Sequence, residues 1–133
     1  MSSFDDPLTT SVRLVDLYTA TRPALRALVE LVAPHASRRP CEPAAPGLVA
    51  AARPLLATAR RLVSREPGGR GLLELREPLD WAGLAASLAF AQAAFGRFER
   101  AYRDIDRASL RGYWRTPGVE KYLSKLNGLN EIR

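Results

Sequence analysis

The chain reads as all-α: a single-domain bundle of four to five helices, with one long helix in its C-terminal half. Three observations carry that expectation. Three segments space apolar residues three and four apart, the repeat of one helix face. No segment shows the strict apolar–polar alternation of a half-buried strand. The chain has 133 residues, 47% of them hydrophobic, enough for one domain with a modest core and no staples.

The elements follow in order. Residues 1–9 are expected as a loose tail. Thr9, Thr10 or Ser11 can cap a first helix, in which Leu14, Leu17, Thr21, Leu25, Leu28 and Val32 share a face. Pro23 falls inside it, and the expectation is a continuous, kinked helix to about Val32. Residues 33–47 contain Pro34, Pro40, Pro43 and Pro46 and are expected as a stiff interhelical loop.

Residues 48–65 form the second helix, with Leu48, Ala52, Leu55, Ala59 and Leu62 on one side and Arg53, Arg60 and Arg61 opposite. Pro54 fits best near a helix start. Glycines 68, 69 and 71 end it, and Leu72, Leu73 and Leu75 are expected to pack back.

The long third helix opens at Pro78 and Asp80. Trp81, Leu84, Leu88, Ala91, Phe95, Phe98, Tyr102 and Ile105 keep one seam through seven steps. The helix should reach Ala108 or Arg111. Residues 112–118 break it, a short last helix covers 119–126, Asn127 and Gly128 cap it, and 128–133 form a second loose tail.

Charge points to a partner class. The net charge is +6, carried by 18 Arg and two Lys. Residues 1–52 are neutral, 53–76 carry +4, 77–96 carry −2 and 97–133 carry +4. Two basic blocks around a neutral body are what a polyanion-facing surface requires. A GC-rich genome gives the same arginine bias without any function.

The best candidate site is an arginine stripe: Arg100, Arg103, Arg107 and Arg111 on the long helix, together with Arg53, Arg60, Arg61 and Arg115. Guanidiniums at this spacing can each give two hydrogen bonds to a phosphate. A solvated helix face is the plain alternative. Tyr113 and Trp114, between Arg111 and Arg115, could stack a base, anchor a partner or simply staple the last helix to the bundle. Asp104 is expected to pair with Arg100, Arg107 or Arg111. Trp81, Phe95, Phe98 and Tyr102 are expected in the core.

Chemistry is sparse elsewhere. His35 is the only histidine and Cys41 the only cysteine. Both fall in the expected loop, where an incidental pair accounts for them better than a nucleophile and its base. The run from Pro67 to Gly71 is glycine-rich but lacks the Gly-Lys-Ser/Thr ending of a phosphate loop. Metal-ligand spacings are absent, so no cofactor, metal or enzymatic activity is expected. Residues 1–10 hold no apolar signal core. The longest apolar stretch is too short to span a bilayer, so a cytoplasmic protein without a membrane partner is expected.

Several stretches resemble the small helical subunit of type III CRISPR effector complexes. The run from Thr10 to Tyr18, with a capping hydroxyl, Arg13 and Tyr18, is similar to that family's opening helix. The run from Arg53 to Arg61 looks like its basic, proline-containing helix, and Phe95, Phe98, Glu99 and Tyr102 look like its aromatic C-terminal helix. The family's aromatic-His ending is missing here, and the tail after Arg111 is longer. The resemblance implies a non-catalytic ribonucleoprotein subunit for antiviral defence. Its copies would stack head to tail, contact RNA or DNA backbone and meet other protein subunits. The residues alone leave open a second reading, a helical protein-interaction module, adaptor or homodimeric regulator with no nucleic-acid role.

Overall fold

The computed structural model describes residues 9–64, 79–106 and 108–118. Helix α1 is Val12–Arg38, α2 is Pro46–Leu62 and α3 is Trp81–Tyr102; strands β1, Arg103–Ile105, and β2, Gly112–Trp114, follow. The described residues thus hold three long helices and a small sheet, where four to five helices were expected. Each helix packs on the other two around one core.

Ser11 caps α1, its hydroxyl accepting the Leu14 N–H at 3.2 Å. The helix passes Pro23, as expected, and then also Pro34, ending six residues beyond Val32. Both prolines are exposed. The carbonyls they leave without donors, four residues back, lie on the same outer face, where water can serve them. Inward, Val15, Tyr18, Leu25, Leu28 and Val32 are buried and hold the helix on the bundle.

The proline-rich connection shrinks accordingly to residues 39–45, and it has a structural task. Prolines lack donors but keep carbonyls. Pro40 and Glu42 accept the Ala82 and Trp81 N–H groups at 3.0 Å each, while Ala44 donates to the Leu79 carbonyl at 2.9 Å. These bonds serve the first turn of α3, whose N–H groups have no partner within the helix. Asp80 completes the cap by accepting the Gly83 N–H at 2.7 Å.

Pro46, in the first turn, starts α2. Pro54 lies inside the helix on its exposed side, so it is not the start expected for it. Ala52, Leu55, Leu56, Ala59 and Leu62 face inward. The seam of α3 is buried as expected from Trp81 through Phe98, with Leu84, Ala91 and Ala94 fully enclosed and Tyr102 half-buried.

The principal correction concerns the end of α3. The helix stops at Tyr102, and Arg103 turns to extended backbone. The chain then makes an antiparallel hairpin pairing Arg103 with Trp114, Asp104 with Tyr113 and Ile105 with Gly112. Ile105, the last step of the expected seam, is 60% exposed.

Two local causes favour the turn. Asp106 gathers the Ser109 hydroxyl at 2.7 Å and the Ala108 and Ser109 N–H groups, closing a tight loop. Those bonds, the Ser109 hydroxyl first, hold its carboxyl below the usual range. Leu110 then takes a φ of 59° to complete the reversal.

A third cause is distant. Trp114 reaches the core edge, its ring 5.1 Å from Tyr18 and 5.6 Å from Phe98. Arg115 then ties the hairpin down, donating its N–H to Tyr102 at 2.7 Å and accepting that of Thr10 at 2.8 Å. The short helix expected at 119–126, its cap at Asn127 and Gly128, the leucines at 72–75, Pro78, the tail at 128–133 and residues 1–8 lie outside the described residues; Thr9 is half-buried.

Candidate functional site

The turn at Tyr102 dissolves the arginine stripe as a single line. Arg100 remains on the last turn of α3, Arg103 opens β1, and Arg111 stands exposed before β2. Arg107 lies outside the described residues. Arg115 pairs with Asp104 across the hairpin at 2.5 Å, a partner outside the three arginines expected for it, of which Arg107 lies outside the described residues. Arg61, Arg100 and Arg111 make no ion pair among the described residues.

The α2 arginines share a helix but border separate hollows. Arg53 stands at a cleft of about 310 Å³ with Pro43, Pro46, Val49 and Leu79. Arg60 and Arg61 border another, of about 400 Å³, with Ala57 and Ser64. Tyr113 and Trp114 lie on β2, both half-buried. The Trp114 ring packs against Tyr18 and Phe98 and so ties the hairpin to the bundle. His35 is on α1, not in a loop, and stacks on Trp81 with ring centres 4.3 Å apart; Cys41 is exposed.

A better-organised site lies between α1 and α3. A cleft of about 300 Å³ is lined by Tyr18, Arg22, Leu25 and Arg26 from α1 and by Gln92, Phe95, Gly96 and Glu99 from α3. At its base the Tyr18 hydroxyl donates to Glu99 Oε2 at 2.5 Å. The other carboxylate oxygen has no partner among the described residues.

Cations surround this pair. The Arg22 guanidinium sits 5.9 Å from the centre of the Tyr18 ring, and that of Arg103 5.6 Å from the Trp114 ring. Arg100 folds back over Gly96, its Nη1 3.3 Å from where a β-carbon there would stand. A side chain at position 96 would crowd it. Arg26 takes an exposed partner, Glu30, at 3.5 Å.

Burial and the hydrogen bond to Glu99 push the Tyr18 hydroxyl up to about 12, although Arg22 and Arg103 both pull it back down. An unfolded tyrosine ionises near 10. Above pH 10 the unfolded chain therefore loses this proton first, and stability falls as pH rises toward 12. Absorbance titration of the four tyrosines should show one late ionisation, absent in Tyr18→Phe, and the variant should lose stability less steeply across that window.

Sequence reasoning places Arg100 and Arg103 in the candidate set but misses Tyr18, Arg22, Gln92 and Glu99 as their companions. A signal exists for two of them. Glu99 is the single acid between Asp80 and Asp104, beside a core phenylalanine, and Tyr18 puts a polar tip on a buried stripe. Among the described residues no three His, Cys, Asp or Glu side chains gather to hold a metal ion, and no helix is long and apolar enough to cross a membrane. No protein-family model matches the chain, and neither the curated proteins nor the solved structures include a match.

Proposed function

We propose that this chain is a non-catalytic, cytoplasmic helical subunit that contacts the sugar–phosphate backbone of a nucleic acid along its α1–α3 groove. One observation carries the reading: Arg22 and Arg103, from elements far apart in sequence, are both racked against the ring cluster of Tyr18 and Trp114. A guanidinium kept beside an aromatic ring has given up part of its freedom, so it meets a phosphate at a smaller entropic cost. Arg100 adds a third cation at the same groove, and Glu99 is the carboxylate that opposes them there. α2 carries Arg53, Arg60 and Arg61 and no acid anywhere along the helix, a second basic element outside the groove. A ribonucleoprotein of the type III CRISPR kind is the assembly to which the likeness of the opening helix points.

The test is binding to a generic single-stranded RNA at about 50 and 200 mM salt. Measurable affinity at the lower concentration, falling steeply at the higher, is the expected outcome. No binding at low salt would remove the proposal. The alternative, a protein-interaction module, has the hairpin in its favour: Ile105 and Leu110 are 60% and 79% exposed there. A stable homodimer in sedimentation, with no RNA bound at low salt, would favour it.

A further inference from the structure

We propose that the α1–α3 cleft takes a single guanine base, with the phosphate attached to that base's sugar lying on the guanidinium rim. The inference rests on the nucleic-acid reading for its partner but concerns a different contact, to a base edge. Glu99 accepts from the Tyr18 hydroxyl through one oxygen, and its other oxygen has no partner among the described residues. A carboxylate pairs best with two adjacent N–H donors. Guanine alone presents such a pair on its Watson–Crick edge, at N1 and N2. Adenine and cytosine each set a donor beside an acceptor, and uracil flanks its one donor with two acceptors.

The walls suit a flat heterocycle. Leu25, Phe95 and the Tyr18 ring give apolar area. Gly96, between Gln92 and Glu99 on the α3 wall, has no side chain of its own, and the Arg100 guanidinium lies over it, its Nη1 3.3 Å from where a β-carbon would stand. Gln92 supplies an amide that can donate to a ring oxygen or nitrogen. The volume, about 300 Å³, is at the small end of ligand sites and fits one base. Single-stranded RNA is commonly read in this way, by unstacked bases turned into pockets.

The experiment compares a ten-residue oligouridine with versions carrying one central G, A or C, each titrated into the wild-type protein, Glu99→Gln and Gly96→Ala. Free guanosine monophosphate is titrated alongside. The expected result is about tenfold tighter binding of the G-containing oligomer, within the range of a bidentate base contact. Glu99→Gln should erase that preference and leave oligouridine affinity at least as strong. Gly96→Ala should weaken it while melting no lower than wild type.

Four other outcomes separate the ideas. Equal binding of all four oligomers overturns the guanine pocket and leaves the backbone reading standing. Retention of the full G preference by Glu99→Gln also overturns it. Glu99-dependent binding of guanosine monophosphate without oligomer binding keeps the pocket as a free-nucleotide site and removes the backbone reading. Binding of neither removes both.

Discussion

Phe98→Ala is expected to destabilise the protein by about 3–5 kcal/mol, the usual loss for emptying a buried aromatic site. Phe98 is 1% exposed and lies under three other rings, with centres 5.6 Å from Tyr18, 5.1 Å from Tyr102 and 5.6 Å from Trp114. Truncation opens a cavity where α1, α3 and the hairpin meet, and a cavity there cannot close by moving one element alone. Domains of this size are stable by only about 5–15 kcal/mol, so the variant should unfold at a much lower urea concentration, with the hairpin loosened first. A loss under about 1 kcal/mol in urea denaturation would mean that the ring cluster is not what joins the hairpin to the bundle.

The second large effect is on binding. The triple variant Arg22→Glu, Arg100→Glu, Arg103→Glu is expected to lose RNA affinity by more than about a hundredfold at low salt, because each change removes a phosphate contact and adds a repelling charge. Arg22 and Arg100 are exposed on helices, and Arg103 is exposed at a strand start, so far-ultraviolet circular dichroism should stay as in the wild type. Retained affinity would move the contact elsewhere. Lost helicity would show that the three arginines hold the fold.

The three helices were legible because their seams are local. Leu25, Leu28 and Val32 on α1, Ala52, Leu55 and Ala59 on α2, and Leu84, Leu88 and Phe95 on α3 are read from spacing alone and are all buried. Two boundaries escaped for a shared reason. By sequence Pro34 reads as a helix stopper, but its cost depends on whether the orphaned carbonyl faces water, which only the packing decides. Ile105 continued the seam by spacing, but its neighbours belong to a turn built from Asp106 and Ser109. Strands of three residues are too short to show any period.

The site was legible only in halves. Arg100 and Arg103 stood out by charge and spacing, although the helix that was to align them ends between the two. The Tyr18–Glu99 hydrogen bond spans 81 positions of the chain. No local pattern announces such a bond. It arises because α1 and α3 pack along their aromatic stripes, bringing Tyr18 to within 5.4 Å of the Phe95 ring.

The most direct measurement is the salt dependence of RNA affinity in two neutralised variants. One carries Arg22→Gln, Arg100→Gln and Arg103→Gln at the groove, the other Arg53→Gln, Arg60→Gln and Arg61→Gln on α2. Each phosphate contact on a single strand adds about 0.7 to the slope of log affinity against log salt. If the racked guanidiniums meet phosphates, the groove variant's slope is shallower than wild type by about two, and the α2 variant's slope changes less. An unchanged slope in the groove variant would contradict the account.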